Sequence, residues 1–467
     1  MAHRSKELLA SHVQSEIERL NGNDGLPFRE LLDEGRLMAA LQAAGIEFRD
    51  RIYTPMVTLY AFLSQVMSGS DQSCGNAVSR VLVDRVRRNL KPCSTDTSSY
   101  CTARGRLPEE VIANLTRQTG RELHRKAPEE WLWKGRRVVL VDGSTETMAD
   151  TPENQKEFPQ SRVQKAGLGF PILRFVVLLS LSVGTVLDCA IGACRGKRTG
   201  EESLFRKLWD ALLPGDIVLG DCLYDAYRDI VQLKGRRIDS LFGKKQSRVC
   251  DFRRGRKLGK DDHVVVWKRP KYDASRFESK QQWESLPEQI EMREIRVTVR
   301  CKGRKKRTII IVTTLLDAEQ YPAQELAALF AARWNCELDL RSIKRVLGMH
   351  HSLCQSPEMV RKELWMYLLG YNLIRVRMAQ AAERHSVEPR KLSFTAARNH
   401  IHNFANLLRS SGGAEHDRVE SELLRALARC RVGNRPGRKE PRAVKKRQQK
   451  YSYLTRPRAQ ARQRLAA

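Results

Sequence analysis

Phe330-Ala-Ala-Arg333-Trp-Asn-Cys-Glu337-Leu-Asp-Leu-Arg-Ser-Ile-Lys344 is the stretch on which the fold turns. Read as one α-helix, each residue advances about 100°, so with Arg333 at zero Glu337 lies at about 40°, Lys344 at about 20° and Phe330 at about 60°. A single carboxylate is thus bracketed by two cations along one stripe. Beside that stripe Leu329, Ala332, Cys336, Leu340, Ile343, Val346 and Leu347 make an apolar face that seats the helix on a core. Spacing alone favours i,i+4 salt bridging on a solvated helix, an effect worth only tenths of a kcal/mol.

The chain upstream supplies two more acids in a telling order. Arg137-Val-Val-Leu-Val-Asp142 reads as a short apolar strand ending in a carboxylate. The apolar run Ile172 to Ile191 is interrupted by Arg174 and Asp188 and divided at Gly184-Thr185, so it reads as two paired strands, 173–183 and 186–192, and not as a membrane span. Glu201 to Leu213 has helical periodicity and stops at Pro214-Gly215. Asp216-Ile-Val-Leu-Gly-Asp221 is a second buried strand ending in an acid, followed by a helix from Ala226 and a strand across Ile238–Phe242. Three carboxylates brought together would repel and raise one another's pKa unless a cation neutralises them. Two Mg²⁺ ions about 3.5–4 Å apart answer that need, and oxygen donors suit them. Among competing acids, Asp150 precedes a Pro152 turn, Asp188 lies inside a strand, and Asp225 is expected to cap the helix after Asp221; all three read as structural or supporting groups.

The spacing of Phe330, Arg333, Glu337 and Lys344, with two, three and six residues between them, resembles the YREK signature of insertion-sequence DDE transposases, the insertion-sequence-four family. Asp142-Gly-Ser-Thr, Gly167-Leu-Gly-Phe-Pro171 and Leu219-Gly-Asp221 extend the resemblance, which runs from about residue 50 to 464. It implies a ribonuclease H-like α/β fold in which the first and fourth strands are neighbours. Asp142, Asp221 and Glu337 would be the catalytic acids and ligands of two Mg²⁺ ions, with Mn²⁺ a substitute. Arg333, Lys344 and residue 330 would contact DNA phosphates. Phe330 stands where the family has tyrosine and so lacks the phenol. The implied activity is binding of terminal inverted repeats as a homodimer, nicking, cleavage through a hairpin, and joining to target DNA. Two other classes fit part of the sequence: a non-catalytic DNA-binding protein derived from such an element, and a nonspecific metal nuclease, which gives no reason for the paired Arg and Lys.

The same resemblance orders the domains. Residues 1–130 form a helical DNA-binding region, 131–245 and 305–410 the two parts of the core, 246–304 a β-rich insertion, and 411–467 a helix with a basic tail. His263-Val-Val-Val-Trp267 and Glu294-Ile-Arg-Val-Thr-Val-Arg within the insertion, and Arg307-Thr-Ile-Ile-Ile-Val just after it, read as strands. Basic runs Arg253-Arg-Gly-Arg-Lys and Arg304-Lys-Lys-Arg lie among them, and Trp267 and Tyr272 are expected to stack an unpaired base. The basic helix Asn76 to Leu90 suits phosphates. From Arg429 to Arg464 fourteen Lys and Arg face one acid, Glu440, a composition that suits a DNA clamp disordered until DNA binds. Overall, 84 Lys and Arg against 54 Asp and Glu give a net charge of +30, the footprint of a polyanion binder. Eleven cysteines without a CxxC pair point to reduced thiols in a bacterial cytoplasm, near the nucleoid, and no secretory leader or membrane span is expected. His350, His351 and Cys354 lack a fourth ligand and read as structural, not as a zinc site.

Overall fold

The computed structural model describes residues 34–43, 51–68, 71–273, 279–299, 307–433 and 454–466, with Leu32 and Gly45. Strand β1 (Val138–Met148) shows how the sheet is held. Val138 and Leu140 join one hydrophobic core, and Val139 and Val141 join the other. Successive strand residues point to opposite faces, so a sheet covered on both sides requires a continuous apolar run. The same alternation divides β2 (Ile172–Ser180) and β4 (Ile217–Gly220), with Leu173, Phe175, Ile217 and Leu219 on the first face and Val176, Leu178 and Val218 on the second.

β3 (Val186–Ala193) returns antiparallel to β2 through a turn in which Gly184 takes φ +80°. The apolar run of the sequence is thus a buried hairpin, and no helix among the described residues is long and apolar enough to cross a membrane. β5 (Asp239–Gly243) follows β4 in parallel. Beyond it lie β6 (Arg256–Gly259), β7 (Asp262–Lys268), β8 (Gln289–Val299) and β9 (Arg307–Thr313). The order β3-β2-β1-β4-β5-β9-β8-β7-β6 makes one mixed sheet of ten strands, in which β10 (His351–Ser352) pairs with the far end of β1. The insertion strands β6, β7 and β8 therefore join the core sheet through the antiparallel β8–β9 pair, and β9 pairs in turn with β5.

Among the described residues five α-helices precede the sheet: α1 (Glu34–Ala43), α2 (Pro55–Met67), α3 (Cys74–Arg87), α4 (Ser98–Arg106) and α5 (Glu109–Arg125). α2 starts where expected, with Thr54 Oγ1 accepting from the Val57 N–H and Pro55 in the first turn. α5 is tied to β3 by Arg117 and Arg121, which both grip Asp188 at 2.8 and 2.6 Å. Short helices α6 (Pro152–Glu157), α7 (Glu201–Arg206), α8 (Tyr227–Gly235) and α9 (Lys280–Glu284) connect the strands. The helix expected over 201–213 ends early, because Leu208, Trp209 and Leu212 turn inward to cover the second face.

The signature stretch is not one helix. α10 (Ala323–Ala331) stops at a turn over Ala332 and Arg333, α11 (Trp334–Arg341) resumes, and Ser342–Val346 widens into a π-turn. A single 100° wheel from 330 to 344 therefore fails past Arg341, since a π-turn carries an extra residue. Beneath this segment runs α12 (Pro357–Arg384), buried along most of its length, closed by α13 (Phe394–Ser410) and α14 (Gly413–Arg429). Much of the basic tail, 434–453, and Arg304, Lys305 and Lys306 lie outside the described residues; α15 (Arg458–Ala466) lies within them.

Candidate active site

Parallel pairing of β1 with β4 matches Val138 to Ile217, Val139 to Val218 and Leu140 to Leu219. Two steps further along this register Asp142 falls opposite Asp221. Both share the parity of Leu140 and Leu219, so both are on the face that α10 and α11 cover. Asp142 Oδ1 accepts its neighbour Gly143's N–H at 2.8 Å, and Asp221 Oδ1 accepts from Leu223 N–H at 2.7 Å. In each acid the backbone thus holds one oxygen and orients the carboxylate.

Burial pushes the Asp142 carboxyl up to about 6, with Asp221 and Glu201 adding to the rise and the Gly143 N–H and Arg333 opposing it. Glu201, at the start of α7, is an acid of this cluster that its sequence position does not announce. It reaches the site from the second face because Gly143 has no side chain: a Cβ there would lie 2.5 Å from Glu201 Cδ. Its own pKa is raised by burial and by Asp221, against the pull of Arg174, whose Nε is 3.7 Å away.

Glu337 stands on α11, which packs against β1. Its Oε1 accepts from Arg333 Nη2 at 3.2 Å, and Arg333 in turn acts on Asp142. Lys344 crosses from the π-turn to β1, donating to Ser144 Oγ at 3.1 Å and to the Thr145 carbonyl at 2.8 Å. Burial lowers its pKa while Glu146 raises it. Phe330 packs against the core, its ring tip near Gly243 and hence beside the backbone of Cys222, directly after Asp221. Phe330, Arg333, Glu337 and Lys344 are thus gathered over the middle of β1 and the end of β4.

Trp267 is not gathered there. It is 6% exposed on β7, its indole N–H donates to Glu294 Oε1, and the Arg248 guanidinium covers its ring at 3.5 Å. A ring face so occupied has no room for a base, which corrects the stacking role expected of it. Trp334, beside Arg333 in the signature, is 56% exposed. Asp225 does not cap the next helix either; it accepts from the Lys245 N–H at 2.8 Å and holds the loop after β5. His351 hydrogen-bonds Thr147 within the β1–β10 corner, and His350 and Cys354 gather no ligand set with it among the described residues.

The raised Asp142 pKa makes a stability prediction. A carboxyl whose folded pKa exceeds its unfolded value of about 3.9 contributes stability that is full below that value and lost as pH rises through about 6. Without metal, Asp142→Asn should therefore raise the melting temperature at pH 7.5 by a few degrees and change it little at pH 4. Equal shifts at both pH values would show that the group is solvated and uncoupled.

A family model described as Transposase DDE domain matches residues 133–373, a span that contains all of these site residues. The protein described as Transposase InsG for insertion sequence element IS4, from Escherichia coli (strain K12), is 29% identical over 367 residues, covering 76% of this chain and 77% of that one. Among solved structures, the cryo-EM structure of piggyBac transposase synaptic complex with hairpin DNA aligns over 89% of this chain and 87% of that one, at 8% identity and a TM-score of 0.44. The order strand-acid, strand-acid, helix-acid therefore sits inside a matched DDE domain, and the chain belongs to the DDE transposases of the insertion-sequence-four family, enzymes that cleave and transfer DNA strands.

Proposed function

We propose that Asp142, Asp221 and Glu337 are the catalytic acids with which this transposase cuts and joins the ends of its own insertion sequence, on a ribonuclease H-like core. The observation that carries the reading is the β1–β4 register, which sets Asp142 against Asp221 on the face covered by the helix of Glu337. Among the described residues neither Oδ2 has a protein donor, and Glu201 adds a further negative charge close by. An oxygen-only donor set with excess negative charge fits hard divalent ions, Mg²⁺ or its substitute Mn²⁺. Such a pair of ions, when bound, activates the attacking oxygen and stabilises the leaving oxygen of a phosphodiester. Glu337 would ligate through Oε2 while Oε1 keeps its hydrogen bond from Arg333.

Arg333 and Lys344 are cations and cannot ligate a metal; their work is to place phosphates of the cleaved end. Water attacks phosphorus and displaces the element's 3′-oxygen. That 3′-hydroxyl attacks the opposite strand, displacing the flanking DNA's 3′-oxygen and closing a hairpin. A second water reopens the hairpin, and the 3′-hydroxyl then attacks target DNA, displacing a target 3′-oxygen. Inverted repeats are held by a homodimer in the nucleoid of a bacterial cytoplasm, with the basic helix α3 and the carboxy-terminal tail as the phosphate-neutralising surfaces. Base stacking passes from Trp267 to the exposed Trp334.

Arg333→Ala and Lys344→Ala test the placing role. Each should retain end binding and the first nick but lose about 10²-fold in hairpin formation or strand transfer, the usual cost of misplacing a reacting group. Variants that only melt earlier, with every DNA step slowed equally, would mean that the cations are structural. Phe330→Tyr restores the phenol and should quicken the hairpin step alone; unchanged kinetics would leave residue 330 to packing against Gly243.

A further inference from the structure

Far from the acids in the strand order, β7 and β8 carry a second cluster of ligating groups. His263 and Glu294 face each other across the antiparallel β7–β8 pair, their side chains 1% and 3% exposed. Cys250, in the partly buried loop between β5 and β6, closes over them. His263 Nε2 is 3.1 Å from Glu294 Oε2 and 3.8 Å from Cys250 Sγ, and the thiol donates to that same Glu294 oxygen.

The outer atoms of the set are pinned. His263 Nδ1 lies 2.7 Å from the Arg254 carbonyl, which can only accept, so Nδ1 carries the proton and Nε2 faces inward. Glu294 Oε1 accepts from the Trp267 indole N–H at 2.9 Å, and Phe252 stacks on the imidazole with ring centres 4.4 Å apart. This is the arrangement of a metal-binding histidine, whose remote nitrogen is fixed by an oxygen acceptor. With neutral His263, the Nε2 lone pair points at a carboxylate oxygen, a repulsive contact that only a proton or a cation between them relieves. The cluster then has one thiolate, one imidazole and one carboxylate, and a divalent ion brings its charge to zero.

We propose that Cys250, His263 and Glu294 bind one zinc ion that fastens the loop between β5 and β6 to the β7–β8 pair. A sulfur–nitrogen–oxygen donor set suits zinc and is poorly suited to Mg²⁺. Tetrahedral geometry with Zn–S near 2.3 Å and Zn–N or Zn–O near 2.1 Å sets ligand atoms about 3.3–3.6 Å apart, which the nitrogen distances already approach. The thiol must move off the carboxylate to complete it. The ligand is the thiolate, so zinc uptake displaces the Cys250 thiol proton. The fourth position is left to water. The fastened loop carries Arg253 and Arg254, so the ion would present a basic surface rather than take part in strand cleavage.

The full-length protein, purified without chelator from zinc-supplemented medium, should contain about one zinc per chain. Cys250→Ser and His263→Gln should bind zinc about tenfold more weakly or worse, while Cys194→Ser keeps it. Chelator-stripped wild type supplies the second readout, independent of whether the variants fold. Zinc should raise its melting temperature by several degrees and Mg²⁺ should not reproduce that rise in Asp142→Asn, where the catalytic site is disabled. Co²⁺ should give a sulfur-to-cobalt charge-transfer band that Cys250→Ser lacks. Wild type isolated without zinc, unmoved by added zinc and showing no such band with Co²⁺, would overturn the proposal and leave an imidazolium–carboxylate–thiol hydrogen-bond cluster.

Discussion

Asp142→Asn, Asp221→Asn and Glu337→Gln should each lower Mg²⁺-dependent nicking of the element's own ends by at least about a thousandfold, because losing a ligand removes several kcal/mol of charge stabilisation and each 1.4 kcal/mol is tenfold in rate. End binding should change by less than about tenfold, since it rests on the net charge of +30 and on counterion release. A mobility-shift assay run beside the nicking assay separates the two. Glu201→Gln makes the informative contrast. It removes a charge that raises the Asp142 pKa without removing an expected ligand, so nicking should fall far less and its acid limb should move to lower pH. Loss of nicking as complete as in Asp142→Asn would make Glu201 a fourth ligand.

Asp339→Asn should be the most destabilising single change in the segment of the signature. Asp339 is 1% exposed and accepts from Arg375 on α12 at 2.5 Å and from Arg390 Nη1 with both oxygens at 2.8 Å. Arg390 also donates to the carbonyls of Ser180 and Leu181 at 2.7 and 2.6 Å, in the β2–β3 turn. One carboxylate thus ties α11, α12 and the hairpin together, two residues beyond Glu337. Removing its charge leaves the Arg375 and Arg390 guanidinium groups without their shared counter-charge, at a cost of about 3–5 kcal/mol. Unfolding in urea should show that loss, and Asp339→Asn with Arg390→Gln should lose less than the sum of the single changes. Simple additivity would mean that the pair does not act as a unit.

The two strand acids were legible because each closes an apolar run, and period-two alternation puts both on one face. The length of β1 was not. Asp142-Gly-Ser-Thr has the chemistry of a turn, yet β1 runs on to Met148 because Ser144 to Thr147 pair with Phe175 to Ile172 and the strand end pairs with β10. The turn at Ala332–Arg333 and the π-turn after Arg341 carry no Pro or Gly, so periodicity continues through both. Glu201, Asp339, Cys250 and His263 gain their meaning from partners that are distant in the chain, and local pattern holds no record of such pairing. Trp267 misled for a different reason. An aromatic among cations on an exposed strand is a stacking platform, but the same residues turned inward make a buried cation–π contact with Arg248.

Metal-directed backbone cleavage reads all three acids in one experiment. With Fe²⁺ in place of Mg²⁺, ascorbate and peroxide generate radicals that cut the polypeptide beside the bound ion. Cuts are expected in three segments, around Asp142, around Asp221 and within α11 at Glu337, all suppressed by excess Mg²⁺. Cuts near Asp142 and Asp221 with α11 untouched would contradict the triad, and cuts absent from all three would contradict the site.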